Sequence, residues 1–206
     1  MSRFPKARVD ALTDGIFAFA MTLLVLDVRL PADLPIASAG ELTAHLLSLG
    51  PQIFTYLISF FVLGAQWRAS IELRPAGERL TGGVVSLWLM YLFFVTTVPF
   101  SSSVVGKYGA FPPAVYVYSA NMIALGVLVI ALRHLEVPEG KRSLARAAGS
   151  HLPLFIIAAL ASMVVSVFEP RYAMFAYLLN FLPHLPGWPK PREERSPLVG
   201  QENRLD

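Results

Sequence analysis

The sequence predicts an all-α integral membrane bundle of six transmembrane helices with both termini cytoplasmic, and three observations carry that prediction. The 206 residues are 55% hydrophobic and only 15% charged, with a mean hydropathy of +0.56, whereas soluble domains hold about 25% charged residues. Long runs lack Asp, Glu, Lys and Arg altogether. The basic residues cluster between alternate runs, as they do when a chain crosses a bilayer repeatedly. Disorder, a collagen-like repeat and a nucleic-acid-binding tail fail on this composition, and the absence of cysteine removes thiolate metal sites and a cysteine nucleophile.

The first predicted span, Val9–Leu30, follows Arg3, Lys6 and Arg8 and carries Asp14 and Asp27 near its ends. A signal peptide would end in small residues, but Asp27-Val28-Arg29-Leu30-Pro31 occupies that place, so the segment reads as a mature helix. The charge-free runs Leu42–Trp67, Leu80–Gly106, Tyr108–Leu132, Ala147–Phe168 and Tyr172–Pro189 supply five more spans, each near or above the roughly 18–20 residues a helix needs to cross a bilayer. Pro31, Pro35, Pro75, Pro112, Pro113 and Pro170 punctuate the short connections. Residues 1–189 therefore form one membrane domain. Residues 190–206 are polar and mixed in charge and read as a flexible cytoplasmic tail.

Six spans put both termini and the second and fourth connections on one side. That side receives Arg3, Lys6 and Arg8, then Arg68, Arg74 and Arg79, then Arg133, Lys141, Arg142 and Arg146, and finally Lys190, Arg192, Arg195 and Arg204. Only Arg29, Lys107 and Arg171 fall opposite, and changing the count by one span would destroy the asymmetry. Trp67, Tyr108, Tyr172 and Trp188 read as interfacial aromatics, as does Trp88, although it sits some way inside its run. The topology accounts for the basic loops, so no nucleic-acid partner is expected.

The first span poses the functional question, because charge at membrane depth is costly unless paired or wet. At about 100° per residue, Gly15, Ala18, Phe19, Thr22, Leu26 and Arg29 fall on one stripe, with Asp14 and Asp27 to either side. Such a face either packs on a neighbouring helix or meets its symmetry mates around a pore, and the pattern leaves both open. His45, His134, His151 and His184 are scattered without metal-ligand spacing, so neither a metal nor another cofactor is expected and an enzyme is not indicated. Ser101-Ser102-Ser103 lacks an adjacent base and, following Pro99, reads as a turn at the outer end of the third span. Glu169-Pro170-Arg171 reads as a tight outer turn.

The run Arg8-x-x-x-Leu12-Thr13-Asp14-Gly15, followed by Phe17-Ala18-Phe19-Ala20-Met21-Thr22 and on to Asp27, resembles the R-x-x-x-F-S-D signature of bacterial members of the transmembrane protein 175 family of endosomal and lysosomal potassium channels. The resemblance continues more loosely through Tyr56-Leu57-Ile58-Ser59-Phe60, Trp67 and Val98-Pro99-Phe100. Leu12 and Thr13 replace the family's Phe and Ser, and Ser70 stands where the family pattern has His. The resemblance implies a homotetramer in the bacterial plasma membrane, with the first helix lining a central pore for monovalent cations, potassium preferred. It implies a polar network of Arg8, Thr13, Asp14 and Trp67, and it places the pore layers at Phe19, Thr22 and Leu26, three residues of the stripe already read from periodicity.

Four copies each of Phe19 and Leu26 would form two apolar rings about 10 Å apart along a helix, which close by dewetting. Thr22 supplies the central hydroxyl of that stripe, unless it returns its proton to a carbonyl one turn back. Arg29 on the stripe would discourage cations, so it is expected to turn outward or to pair with Asp27 or Asp33. The competing expectation is a proton-coupled transporter that titrates Asp14 and Asp27.

Overall fold

The computed structural model describes residues 3–31, 36–72, 79–136 and 152–184. The tail over 190–206, Trp188, His151, Asp33, Arg74 and the basic residues Lys141, Arg142 and Arg146 lie outside the described residues. The order is β1 (Arg3–Pro5), α1 (Lys6–Leu26), α2 (Ala39–Ser48), α3 (Gly50–Glu72), β2 (Arg79–Thr81), α4 (Gly82–Tyr108), α5 (Pro112–Glu136), α6 (Leu152–Phe168) and a 3-10 helix over Pro170–His184. α1, α4 and residues 112–135 of α5 are each long and apolar enough to cross a membrane, and α2 with α3 makes a fourth such unit if the bent pair counts as one span.

Three elements depart from the sequence expectation. The second predicted span is broken, with α2 and α3 meeting at a bend of 43°. Pro51 has no N–H to return to the preceding turn, so the chain closes α2 at Leu49, whose own N–H reaches back to the carbonyls of Leu46 and Leu47. Ser38 caps the start of α2, accepting from the Glu41 N–H at 3.2 Å while the Glu41 carboxylate accepts from the Ala37 N–H at 2.8 Å. The stretch predicted as a sixth span holds a 3-10 helix of 15 residues, an unusual length for that conformation. Its rise of about 2.0 Å per residue carries it roughly 30 Å, where an α-helix of the same length would reach about 22 Å. The Ser101-Ser102-Ser103 run does not turn: it lies inside α4, which continues through Pro99 to Tyr108. Thr96, Thr97 and Ser101 donate their hydroxyls to the carbonyls of Phe93, Phe94 and Val98 around that proline. A turn does follow Glu169, with the Tyr172 N–H donating to the Glu169 carbonyl at 3.1 Å.

β1 and β2 pair antiparallel, Arg3 with Thr81 and Pro5 with Arg79. This places the N-terminal lead of α1 beside the lead into α4, so the two helices start at the same end and run side by side. α4 is central, packing against α1, α3 and α5, while α6 packs on α5 and on the 3-10 helix. Phe17 of α1, Leu63 of α3, Tyr91 and Val95 of α4, and Tyr118 and Leu125 of α5 are among the fully buried residues of the bundle. Lipid supplies no hydrophobic drive between helices, so close packing and polar contacts must hold them together. Both are present. Gly126 lets α5 approach α6 so closely that a Cβ there would stand 2.8 Å from Ile156. Ser59 of α3 bonds Ser102 of α4 at 2.9 Å and Tyr118 of α5 at 3.0 Å, Asn121 bridges Thr97 and Ser101, and Tyr177 donates to Ser119 at 3.0 Å.

Candidate pore helix and its anchors

α1 has two unlike faces. Thr13, Phe17, Ala20 and Leu24, spaced by four, three and four residues, are its buried side. The opposite side carries Gly15, Ala18, Phe19, Thr22, Leu26 and, just past the helix, Arg29, all exposed in the single chain, with Phe19 and Leu26 each 64% accessible. Other exposed faces of the bundle carry large apolar groups such as Phe93, Phe100, Val164 and Phe168, which suit lipid. The α1 face instead mixes small residues, a hydroxyl and flanking charge. Thr22 donates its proton to the Phe19 carbonyl at 2.7 Å, the local bond foreseen as an alternative; its oxygen keeps lone pairs that can face a cation.

Two indoles fix which face is which. Trp88 of α4 donates Nε1–H to Thr13 Oγ1 at 2.6 Å in a buried bond, and the Thr13 hydroxyl passes its proton to the Val9 carbonyl at 2.8 Å. One residue further along, Trp67 of α3 donates to Asp14 Oδ1 at 2.8 Å. Residues 13 and 14 project about 100° apart, so bonds from two different neighbours restrain rotation of α1 about its own axis. Trp88 stacks edge-on against Tyr91, which packs on Phe17 at 6.1 Å, so the clamp continues into the core.

Of the four residues in the expected polar network, the structure brings Asp14 and Trp67 into contact and places Thr13 beside them with a different partner. Arg8 is exposed, and among the described residues no hydrogen bond joins it to the other three. Trp88 is the residue that sequence reasoning misplaced: it is 4% exposed and internal, not interfacial. Its position well inside a charge-free run was the available signal, because an indole N–H at depth needs an acceptor. Trp67, Tyr108 and Tyr172 are exposed near element ends, as interfacial aromatics are. Lys6 pairs with Asp10 at 2.6 Å at the start of α1.

At the far end Asp27 caps α1, and its partner is Lys107 of α4 at 3.4 Å, not Arg29, which is exposed. Among the described residues no cluster of three or more His, Asp or Glu side chains gathers as a metal site.

The sequence model of the family described as the endosomal/lysosomal potassium channel TMEM175 matches residues 8–99, the stretch that contains all but the first two residues of α1, both indoles and Pro99. A potassium channel of Chamaesiphon minutus is 31% identical over 149 residues, which cover 70% of this chain and 71% of that protein. The chain belongs to the TMEM175 family. A potassium channel of Streptomyces collinus is 34% identical over 132 residues, and the match spans 62% of that relative's length. The mouse endosomal/lysosomal proton channel TMEM175 is 35% identical over 99 residues, only 20% of its length. The crystal structure of a lysosomal potassium-selective channel TMEM175 homologue from Chamaesiphon minutus superposes with a TM-score of 0.73 at 23% identity, covering 85% of this chain and 94% of that one, which establishes a shared fold. TMEM175 proteins are channels rather than enzymes, and this member is a multi-pass membrane protein.

Proposed function

We propose that this TMEM175 protein is a potassium-preferring cation channel of the bacterial plasma membrane, a homotetramer whose central pore is lined by α1. Each subunit crosses the bilayer six times, counting α2 with α3 as one span, and both termini are cytoplasmic. The bacterial relatives are named potassium channels and the mammalian ones proton channels, which supports cation conduction. The observation that carries the pore assignment is the uncovered face of α1, where Phe19, Thr22 and Leu26 stand exposed on a helix whose opposite side is locked into the core.

In the tetramer Phe19 and Leu26 form apolar rings, with the Thr22 hydroxyls between them. Stripping a cation of water in a low-dielectric ring costs on the order of 20 kcal/mol in the idealised limit. Ions therefore pass only when the rings widen enough to admit them with most of their hydration, and selectivity follows from width and hydration. No cofactor takes part, and the potassium ion is cargo. A carrier that titrates Asp14 and Asp27 fits less well, because both carboxylates already hold partners, Trp67 and Lys107.

The test is a flux and bilayer recording of purified, reconstituted protein under opposing potassium and sodium gradients. Resolvable ohmic openings that favour potassium are expected, with larger currents after Phe19→Ala. Absence of cation current from both proteins would refute the channel reading.

A further inference from the structure

Arg8 lies in the first turn of α1 and is the one residue of the expected polar network that stays outside it. Its side chain is exposed and makes no hydrogen bond or ion pair with any described residue. The nearest carboxylates along the helix are engaged elsewhere, Asp10 by Lys6 at 2.6 Å and Asp14 by Trp67 at 2.8 Å. Asp14 also stands about 9 Å further along the axis and roughly 120° round it, which keeps it from Arg8. Helix stability does not ask for a cation here. The N-terminus of α1 has no acid in its first turn and no side-chain cap, so the guanidinium opposes the positive end of the helix dipole. Basic residues favour the cytoplasmic side, but any position near that end meets the rule, whatever its direction.

Direction is what sets Arg8 apart. Leu26 follows it by 18 residues, five whole turns of helix or about 27 Å, and Gly15, Phe19 and Thr22 fall within about 40° of the same line. Lys6, in the same turn, projects about 160° away. We propose that Arg8 controls the supply of cations to the pore: four guanidinium groups, one per subunit, ring the cytoplasmic mouth and hold the local potassium concentration below that of the bulk. This rests on the α1-lined tetramer proposed above. The four helix N-termini, each equivalent to roughly half a positive charge, add to the same field. For a cation passing about 10 Å from each of four unit charges in water, screened Coulomb repulsion depletes it about sevenfold at 0.01 M salt and only about 1.1-fold at 1 M. Potassium entering from the cytoplasm is throttled in dilute solution, whereas potassium entering from the other side does not meet this field first. The ring makes the pore rectify inward.

The test uses full-length protein in excised inside-out patches with equal KCl on both sides, at 0.01 M and at 1 M. At the lower concentration Arg8→Gln should raise the outward current about sevenfold and the inward current by less, and at 1 M it should agree with wild type within about 1.2-fold. Lys6→Gln removes the same charge from the far side of the helix and should change the ratio of outward to inward current by less than about twofold. The chain has no cysteine, so Arg8→Cys can be modified in place. A positively charged thiosulfonate should restore the wild-type current and a negatively charged one should raise it further, within one patch and one folded protein. A difference that persists at 1 M, equal effects of Lys6→Gln and Arg8→Gln, or a current indifferent to the sign of the reagent would overturn the proposal. So would a smaller tetrameric fraction of Arg8→Gln with no salt-dependent change in current, the signature of a guanidinium paired with a neighbouring copy. Absence of potassium current from wild type at both concentrations would instead refute the channel reading, and the ring with it.

Discussion

Replacing Trp88 by Phe tests whether the indole clamp sets the rotation of α1. The substitution keeps a ring against Tyr91 but removes the N–H that reaches Thr13 Oγ1 at 2.6 Å. A buried hydrogen bond contributes a net of about 1 kcal/mol, and the smaller ring leaves a cavity worth a further 1–2 kcal/mol or so. The single change should therefore cost about 2–3 kcal/mol. Thr13→Val removes the acceptor and also the local bond to Val9, whose carbonyl keeps its helical partner, so its cost should be nearer 1 kcal/mol. If the two residues are coupled as the distance indicates, the double variant is less destabilised than the sum by about 0.6 kcal/mol, the average for interhelical bonds in membranes, and by no more than about 1.7 kcal/mol, the largest seen. The assay is reversible unfolding in mixed detergent by tryptophan fluorescence or circular dichroism, run on all four proteins. Additivity within about 0.3 kcal/mol would refute the clamp.

Two further outcomes are expected. Asp14→Ala removes the acceptor for Trp67 and should reduce the tetrameric fraction on size-exclusion chromatography with light scattering before it changes ion selectivity; intact assembly with altered selectivity would reverse the assignment. Gly126→Leu drives a side chain into Ile156 at the α5–α6 contact and should destabilise by about 1–3 kcal/mol, read as a lower melting temperature, with unchanged stability refuting the close approach.

The spans were legible because a bilayer imposes a length on every charge-free run, and α1, α4 and α5 fall within a few residues of the runs that predict them. The stripe of α1 was legible for a similar reason: helical periodicity separates Phe17 and Leu24 from Phe19 and Leu26 without knowledge of any neighbour. What depends on partners was hidden. β1 and β2 are three residues each, too short to leave a pattern. Pro51 carried the signal for the bend after α2, but a hydropathy run passes over it. The serines after Pro99 imitate a turn in sequence, and in the helix they bond backward and across to Ser59 and Asn121. Lys107 counted as one of three basic residues on the wrong side; its pairing with Asp27 gives that exception a physical cause.

The two ends of α1 are held unequally. One end has the strand pair and two indoles, and the other has a half-open ion pair. A rigid tilt about Thr13 and Asp14 therefore acts as a lever, with Phe19 about 9 Å and Leu26 about 20 Å from the fulcrum. The same swing displaces Leu26 roughly twice as far as Phe19. In the proposed pore the Phe19 ring, nearer the indoles, would be the stiffer of the two, so widening there would demand either a larger tilt or a turn of the Phe19 side chain itself.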